Sequence, residues 1–383
     1  MGRPKLGCLS SFSPIVVEQV ICLRKAHPGW GPKTLWMELT MDKRLEGYKI
    51  PKPSSIALLL KDEGLSKEYE KHTFLPGTAL HKADYEHHIW QIDSKGSTKV
   101  EGIGRAHFIN TKDVFSKTYC GCIPLEGGAH GGSPSTSDHQ QALRLAFCEF
   151  GMPHTIQSDH GSVFYENKGK SPFPTRFHLW LIALNIQLIF SRVHQPKDQG
   201  TVERAHQTMT NQVVKGNSFE SMLALHQYCN QRRARLNEVL PCTTTENLPP
   251  LIAFPHARFS GNSYHPRLEE ELLDLDRVHQ FLHKGEWFRK VGDYKTLSLG
   301  GQKYYVESAE KDSKAKITFD AAEKLLCFYD AKEQFLEKQP IKGITQEYLM
   351  GRSFFEASVP NFQLEIPFTW KQKLLSTTFL DSS

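Results

Sequence analysis

A chain of 383 residues has room for two or three domains of roughly 100 to 200 residues each and for a sizeable core. Its 47 Lys plus Arg against 42 Asp plus Glu leave a formal charge of +5, too balanced for a basic tail protein or an acidic disordered one, and compatible with a nucleic-acid partner without proving it. No stretch approaches the roughly 18 uninterrupted apolar residues of a membrane span, Met1 to Ser13 lacks the apolar run of a signal peptide, and the eight cysteines form no CxxC and no Cys/His pairs. An intracellular, cytoplasmic protein is expected, with no membrane segment, disulfide framework or zinc ribbon.

From Pro14 to Leu65 the period is helical, with Ile15, Val16, Val20 and Leu23 on one stripe, then Leu35, Trp36 and Leu39, then Ile56, Leu59 and Leu60, so three short helices are predicted. His27-Pro28-Gly29-Trp30-Gly31-Pro32 ends the first; Pro51-Lys52-Pro53-Ser54-Ser55 opens the third with a Ser cap, and Gly64 closes it. The spacing fits a helix-turn-helix and equally a generic helical bundle. Residues 12–66 form this domain, and the polar, aperiodic stretch 67–86 reads as a linker.

From His88 the texture changes. Strands are predicted at Ile89 to Ser94, Ala106 to Asn110 and Thr118 to Ile123, with Asp113 to Lys117 as a hairpin turn. A Gly/Ser-rich loop, Gly127 to Ser137, leads to a helical stripe through Ala142, Leu145, Ala146 and Phe150. Then come a strand at Thr155 to Ser158, a helix around Phe177 to Leu184, a strand at Ile186 to Phe190, a long helix from Gly200, and a helical run from Phe219 to Val239. The alternation points to an α/β layer over 87–245. Residues 246–278, rich in Pro and His and then acidic, read as a connector. Five short strands between Glu286 and Tyr329, with a hairpin at Gly300-Gly301, read as a small β-barrel over 279–338, and 339–383 as a C-terminal tail.

Three acids stand where an α/β protein places catalytic groups. Asp93 lies in Trp90-Gln91-Ile92-Asp93, Asp159 follows the strand Thr155-Ile156-Gln157-Ser158, and Glu203 opens the helix that begins at Gly200. If they converge, their repulsion demands divalent metal, and an all-oxygen site suits Mg²⁺ or Mn²⁺. Taken singly, each has a bland reading: a surface strand acid, a turn acid before Gly161 and a first-turn acid favoured by the helix dipole. Asp113, Asp138, Glu149 and Glu166 are assigned to turn, cap, solvated face and loop.

The strings WQID, QSDHGSVF and FSRVHQPKDQGTVERAHQTM resemble the DDE catalytic core of retroviral-integrase-like transposases of bacterial insertion sequences. HPGWGPKTLW and IPKPSSIALLLKDEGL resemble their helix-turn-helix, and the segment near GGQKYYV their small barrel. The resemblance implies a multidomain protein: an N-terminal all-α helix-turn-helix, a central RNase H-like domain with a mixed five-stranded sheet, and a C-terminal SH3-like β-barrel. It implies Asp93, Asp159 and Glu203 as catalytic and metal-binding residues for two Mg²⁺ or Mn²⁺ ions, acting in 3′-end cleavage and strand transfer. The implied partners are double-stranded DNA, as element ends and target, and further copies of the chain in a synaptic homo-oligomer, nucleoid-associated when DNA-bound. An inactive DNA-binding relative and a nuclease that cuts without joining are the alternatives.

Some positions depart from the family pattern. Glu203 follows Asp159 by 44 positions, longer than usual, with the excess in a loop at Tyr165 to Arg176. Gln199 and His160 each stand where the family commonly has Asn. For DNA contacts, Arg192, His194, Lys197 and Arg204 flank the Glu203 helix and can hold phosphates. Ser54, Ser55, Ala57, Leu58 and Lys61 form the outward face of the third helix, and only Lys61 is basic, so phosphate contacts are expected to outweigh base readout. In the barrel, Lys284, Arg289, Lys290, Lys295 and Lys303 form a basic surface between aromatic residues expected to be mostly core.

Overall fold

The computed structural model describes residues 9–66, 81–127, 132–167, 171–192 and 195–351. The tail beyond Gly351, most of the linker and parts of the loops after Gly127 and Asn167 lie outside the described residues. The chain divides into two compact units. One gathers residues up to Ala146, Phe150–Gly161 and Ile186–Ser263; the other gathers Phe147–Glu149, Ser162–Asn185 and Tyr264 onward.

The first unit begins with α1 (Pro14–Ala26), α2 (Pro32–Met41) and α3 (Pro53–Asp62). Each starts with proline, whose fixed φ suits the first turn and whose missing N–H has no helical partner to lose. Val16, Val20, Leu35, Leu39, Ile56, Leu59 and Leu60 close a core of their own. The expected Ser cap of α3 is corrected: Lys52 caps the helix through its backbone and Pro53 occupies the first turn, so Ser54 and Ser55 lie within the helix.

The sheet of this unit comprises β1 (Ile89–Val100), β2 (Gly104–Asp113), β3 (Tyr119–Glu126), β4 (Thr155–Ser158) and β5 (Gln187–Phe190) in the order β3-β2-β1-β4-β5. β1, β2 and β3 form an antiparallel meander, while β1, β4 and β5 run parallel. α4 (Thr136–Phe150) leads into β4. α6 (Gly200–Met209) and α7 (Met222–Glu238) bury Ala205, Met209, Leu225, Cys229 and Leu236 against Val100, Ala106, Phe108, Tyr119 and Cys122. A mixed five-stranded sheet with helices packed on it is the architecture expected of the central α/β domain. Cys120 and Cys122 are packing residues, both buried.

The second unit holds α5 (Arg176–Ala183), and past the short α8 (Pro250–Ala253) of the first unit it continues with α9 (Glu269–Leu272) and α10 (Leu275–His283). Its strands are β6 (Glu286–Lys290), β7 (Thr296–Leu299), β8 (Gln302–Tyr305), β9 (Lys314–Asp320), β10 (Leu325–Tyr329) and β11 (Phe335–Pro340), followed by α11 (Gln346–Met350). They pair as two separate sheets, β11-β10-β9-β6 and β7-β8. Gly300 and Gly301 turn the β7-β8 hairpin with φ of 57° and 76°, the left-handed pair that a two-residue turn requires. Trp287 and Tyr304 are core as expected, whereas Phe288, Tyr294 and Tyr305 are exposed. Within the acidic stretch, Glu269 is fully buried, accepting from Trp180 Nε1 (2.7 Å) and Tyr264 Oη (2.6 Å). Among the described residues no helix is long and apolar enough to cross a membrane.

Candidate active site

The register of β1 and β4 brings two of the three acids into line. Gln91 is the partner of Gln157. Side chains two residues apart along a strand share a face, so Asp93 and Asp159 end the same row at the carboxyl edge of the parallel strands, where α/β sheets place their ligands. Asp93 Oδ1 accepts from Ser94 N (2.8 Å), and Oδ2 from His206 Nε2 (3.1 Å). Exposed Asp159 accepts from Gly161 N at 2.8 Å.

Glu203 lies in the first turn of α6, exposed, with Val202 and Ala205 buried beside it. Partial desolvation and the nearby charge of Asp93 hold its carboxyl above the ordinary glutamate range, against the opposing pull of His206. His139 on α4 is held low by burial, and the fields of both Asp93 and Asp159 oppose that shift. The charge of Asp93 thus acts on Glu203, and both aspartates act on His139. Among the described residues, no three His, Cys, Asp or Glu side chains are gathered closely enough to hold a metal ion. Asp93, Asp159 and Glu203 would offer oxygen donors only, the chemistry that suits Mg²⁺ or Mn²⁺.

Beneath the acids lies a buried amide row. Gln91 Nε2 donates to Gln157 Oε1 (3.0 Å) and to the Asp198 carbonyl (2.6 Å), and its Oε1 accepts from Val202 N (3.1 Å). Gln157 Nε2 reaches Ser191 Oγ (3.2 Å) and the same carbonyl (3.1 Å). These bonds tie the start of α6, and with it Glu203, to the strands that carry the aspartates. One turn along α6, His206 Nδ1 accepts from Asn110 Nδ2 (2.6 Å), which leaves Nε2 protonated to donate to Asp93. Lys95, two positions past Asp93, donates to Thr210 Oγ1 (2.7 Å). Gln157, Asn110, Lys95 and His206 were not among the expected site residues, whereas Gln91 shares the face of Asp93 by strand alternation. The available signal was the repeated Gln-x-Asp of Gln91-Ile92-Asp93 and Gln157-Ser158-Asp159.

The residues expected to touch DNA differ in their commitments. Arg192 is engaged with buried Asp198 through its backbone N–H, Nε and Nη2, at 2.9 to 3.0 Å. His194 lies outside the described residues, and Lys197 falls in the helical turn Pro196–Gln199. Arg204 is exposed and bonds Gln207 Oε1 (3.3 Å). On α3, Ser54, Leu58 and Lys61 are exposed and Ser55 is half-buried. In the second unit, exposed Lys290 pairs with Asp312 (2.6 Å) and Lys303 is exposed. Arg289 leaves the expected basic surface, because it pairs with Glu166 (2.9 Å) and donates to the Ser171 carbonyl (2.6 Å).

No protein-family model matches the chain. A curated relative, the Gag-Pro-Pol polyprotein of sheep pulmonary adenomatosis virus, is 28% identical over 129 residues, which span 33% of this chain and 6% of that polyprotein. Among solved structures, the HTLV-2 integrase catalytic core domain in complex with magnesium is similar at a TM-score of 0.34 and 16% identity, covering 45% of this chain and 99% of that one. A simian T-cell lymphotropic virus intasome in complex with PP2A regulatory subunit B56 gamma is similar at a TM-score of 0.38 and 13% identity, covering 82% of this chain and 97% of that one. The local polyprotein match is to a viral protein and gives no support to a bacterial insertion-sequence origin.

Proposed function

We propose that the chain is a metal-dependent DNA transposase or integrase that cuts at element ends and joins the exposed 3′ ends to target DNA. The observation that carries this reading is the alignment of Asp93 with Asp159 at the sheet edge, with Glu203 close enough to feel the charge of Asp93. The local polyprotein match supports it. Asp93, Asp159 and Glu203 would hold two Mg²⁺ or Mn²⁺ ions. When bound, the ions supply charge neutralisation, activation of the attacking oxygen and stabilisation of the leaving 3′ oxygen at a phosphate.

The chain's own groups do the positioning. His206 and the Ser94 amide fix the Asp93 carboxylate from both oxygens, and the Gly161 amide fixes Asp159. Gln91 and Gln157 set the height of α6 against the strands. Neither a serine nor a tyrosine nucleophile is required, because water and then a DNA 3′-OH serve in turn. Arg204, Lys61, Lys290 and Lys303 would hold phosphates, Ser54 and Ser55 would face the groove, and α1 to α3 would form the end-binding helix-turn-helix. Two or more copies would bring the element ends together.

Labelled duplex DNA carrying the sequences that flank the coding region tests this reading. Nicking and joined product are expected in Mg²⁺ or Mn²⁺, with Asp159→Ala or Glu203→Gln lowering both by at least about a hundredfold. Unchanged activity in either variant would overturn the assignment. Hydrolysis without joined product would leave a nuclease, and binding without cleavage an inactive relative. Terminal inverted repeats with short target duplications around the coding region are the genomic signature of the mobile-element setting.

A further inference from the structure

After Met209 the helix that carries Glu203 does not continue as an α-helix. Thr210–Val214 form a single π turn, closed by Lys215 N to the Thr210 carbonyl at 3.1 Å. Such a turn inserts one residue and turns carbonyls away from the helical ladder. What occupies this one is the His27-to-Gly31 turn between α1 and α2. A Cβ on Gly29 would lie 2.0 Å from the Asn211 carbonyl oxygen, so glycine alone permits the approach. A Cβ on Gly216, just beyond the π turn, would lie 2.4 Å from Pro28 Cδ.

Trp30 fills the remaining space. Its Nε1 points to the Gln212 carbonyl at 3.5 Å, one ring face stacks on His27 at 3.8 Å between centroids, and the Arg232 guanidinium stands 4.4 Å from the ring centroid. Gln212 itself is buried, donating to Thr34 Oγ1 (3.1 Å) and accepting from Arg232 Nη2. The π turn also reaches back to the acids. Thr210 Oγ1 donates to the His206 carbonyl (2.7 Å) and accepts from Lys95 Nζ (2.7 Å), and His206 is the residue that contacts Asp93.

We propose that the Gly29-Trp30 turn is a positioning element for the acid trio: by wedging open the π turn it sets the register of α6, and so the placement of Glu203 and His206 against Asp93. The inference rests on the functional reading above, since it assigns the N-terminal helices a second role beyond holding DNA. A turn that only docked two parts of the fold would affect stability and leave metal affinity alone.

Mn²⁺ binding to the full-length chain without DNA, followed by loss of the free-ion paramagnetic resonance signal, separates the cases. Gly29→Ala is expected to weaken Mn²⁺ affinity about tenfold, the lower end of what outer contacts to metal sites give, with the far-ultraviolet dichroism unchanged. Wild-type affinity in folded Gly29→Ala would overturn the proposal. Should Gly29→Ala fail to fold, Trp30→Phe keeps a six-membered aromatic ring and removes the Nε1 donor. An affinity loss of about threefold is then expected, on the same outer-contact argument, and no loss overturns it. Asp159→Ala serves as the control: if it retains Mn²⁺, the metal site fails and the positioning role with it, whereas loss there beside wild-type affinity in the folded turn variant overturns the positioning role alone.

Discussion

At the scale of single residues, the candidate site depends on two buried glutamines as much as on three acids. Gln91 meets Gln157, the Asp198 carbonyl and the Val202 amide. A leucine there fills similar volume but strands Gln157 Oε1 and the Val202 N–H away from water, the Asp198 carbonyl keeping Gln157 Nε2, at about 1 to 3 kcal/mol for each group left unpaired. Gln91→Leu is therefore expected to lose about 2 to 6 kcal/mol in urea unfolding and to lower DNA cleavage, because Val202 N–H anchors the turn that presents Glu203. Cleavage at the wild-type rate in a destabilised Gln91→Leu chain would show that this row holds the fold and not the site. The candidate acids stand out in the sequence because they lie within the strings that carry the resemblance. The glutamines do not, since a buried amide declares itself only through partners supplied by three separate segments. Even so, the shared Gln-x-Asp spacing placed each amide on the face of its aspartate, and strand alternation alone would have paired them.

At the scale of elements, the strands and helices whose patterns are apolar fell close to where periodicity put them, as β4 at Thr155–Ser158 and α5 at Arg176–Ala183 show. The departures occur where polar residues take ordered roles. β1 runs on through Ser94-Lys95-Gly96-Ser97-Thr98-Lys99 because β2 supplies ladder partners across a bulge between Lys95 and Thr98, which no alternation signals. The helical run after Phe219 carries Arg232 and Arg235, which clasp Glu38 of α2 at 2.9 and 2.6 Å. The Arg232 side chain is only 4% exposed, so removing its partner leaves a buried charge uncompensated. Glu38→Ala is expected to cost about 3 kcal/mol in urea unfolding. Glu38→Gln, which keeps an acceptor in place, is expected to cost about half as much. Equal losses in the two variants would mean that the charge alone, and neither packing nor the neutral acceptor, holds α2 to α7, and no loss in Glu38→Gln would mean that the charge contributes nothing.

For the whole molecule, the net charge of +5 says little about how stability responds to pH; the buried and half-buried histidines say more. Burial holds His27, His87, His139, His178, His226 and His279 below the ordinary imidazole value of 6.5, His178 down to about 4. An imidazole with a lowered folded pKa binds its proton more readily in the unfolded chain. Its stabilisation is complete above pH 6.5 and disappears as pH falls toward the folded value. Asp113 and Glu203 act in the opposite sense: their folded pKa values are raised, by burial first and in Glu203 also by the charge of Asp93, so acidification relieves a cost that each carries at neutral pH. Six histidines against two acids decide the direction. The melting temperature is expected to fall between pH 7 and pH 5, before the ordinary carboxylates titrate. His178, whose ring packs edge-on against Phe281 at 5.2 Å, is the residue to remove: at pH 4 its shift corresponds to about 3 kcal/mol. His178→Phe keeps an aromatic ring in that contact and abolishes the proton uptake. The variant should therefore lose measurably less melting temperature on going from pH 7 to pH 5 than the unsubstituted chain, and an identical slope would show that the imidazole takes up no proton on unfolding.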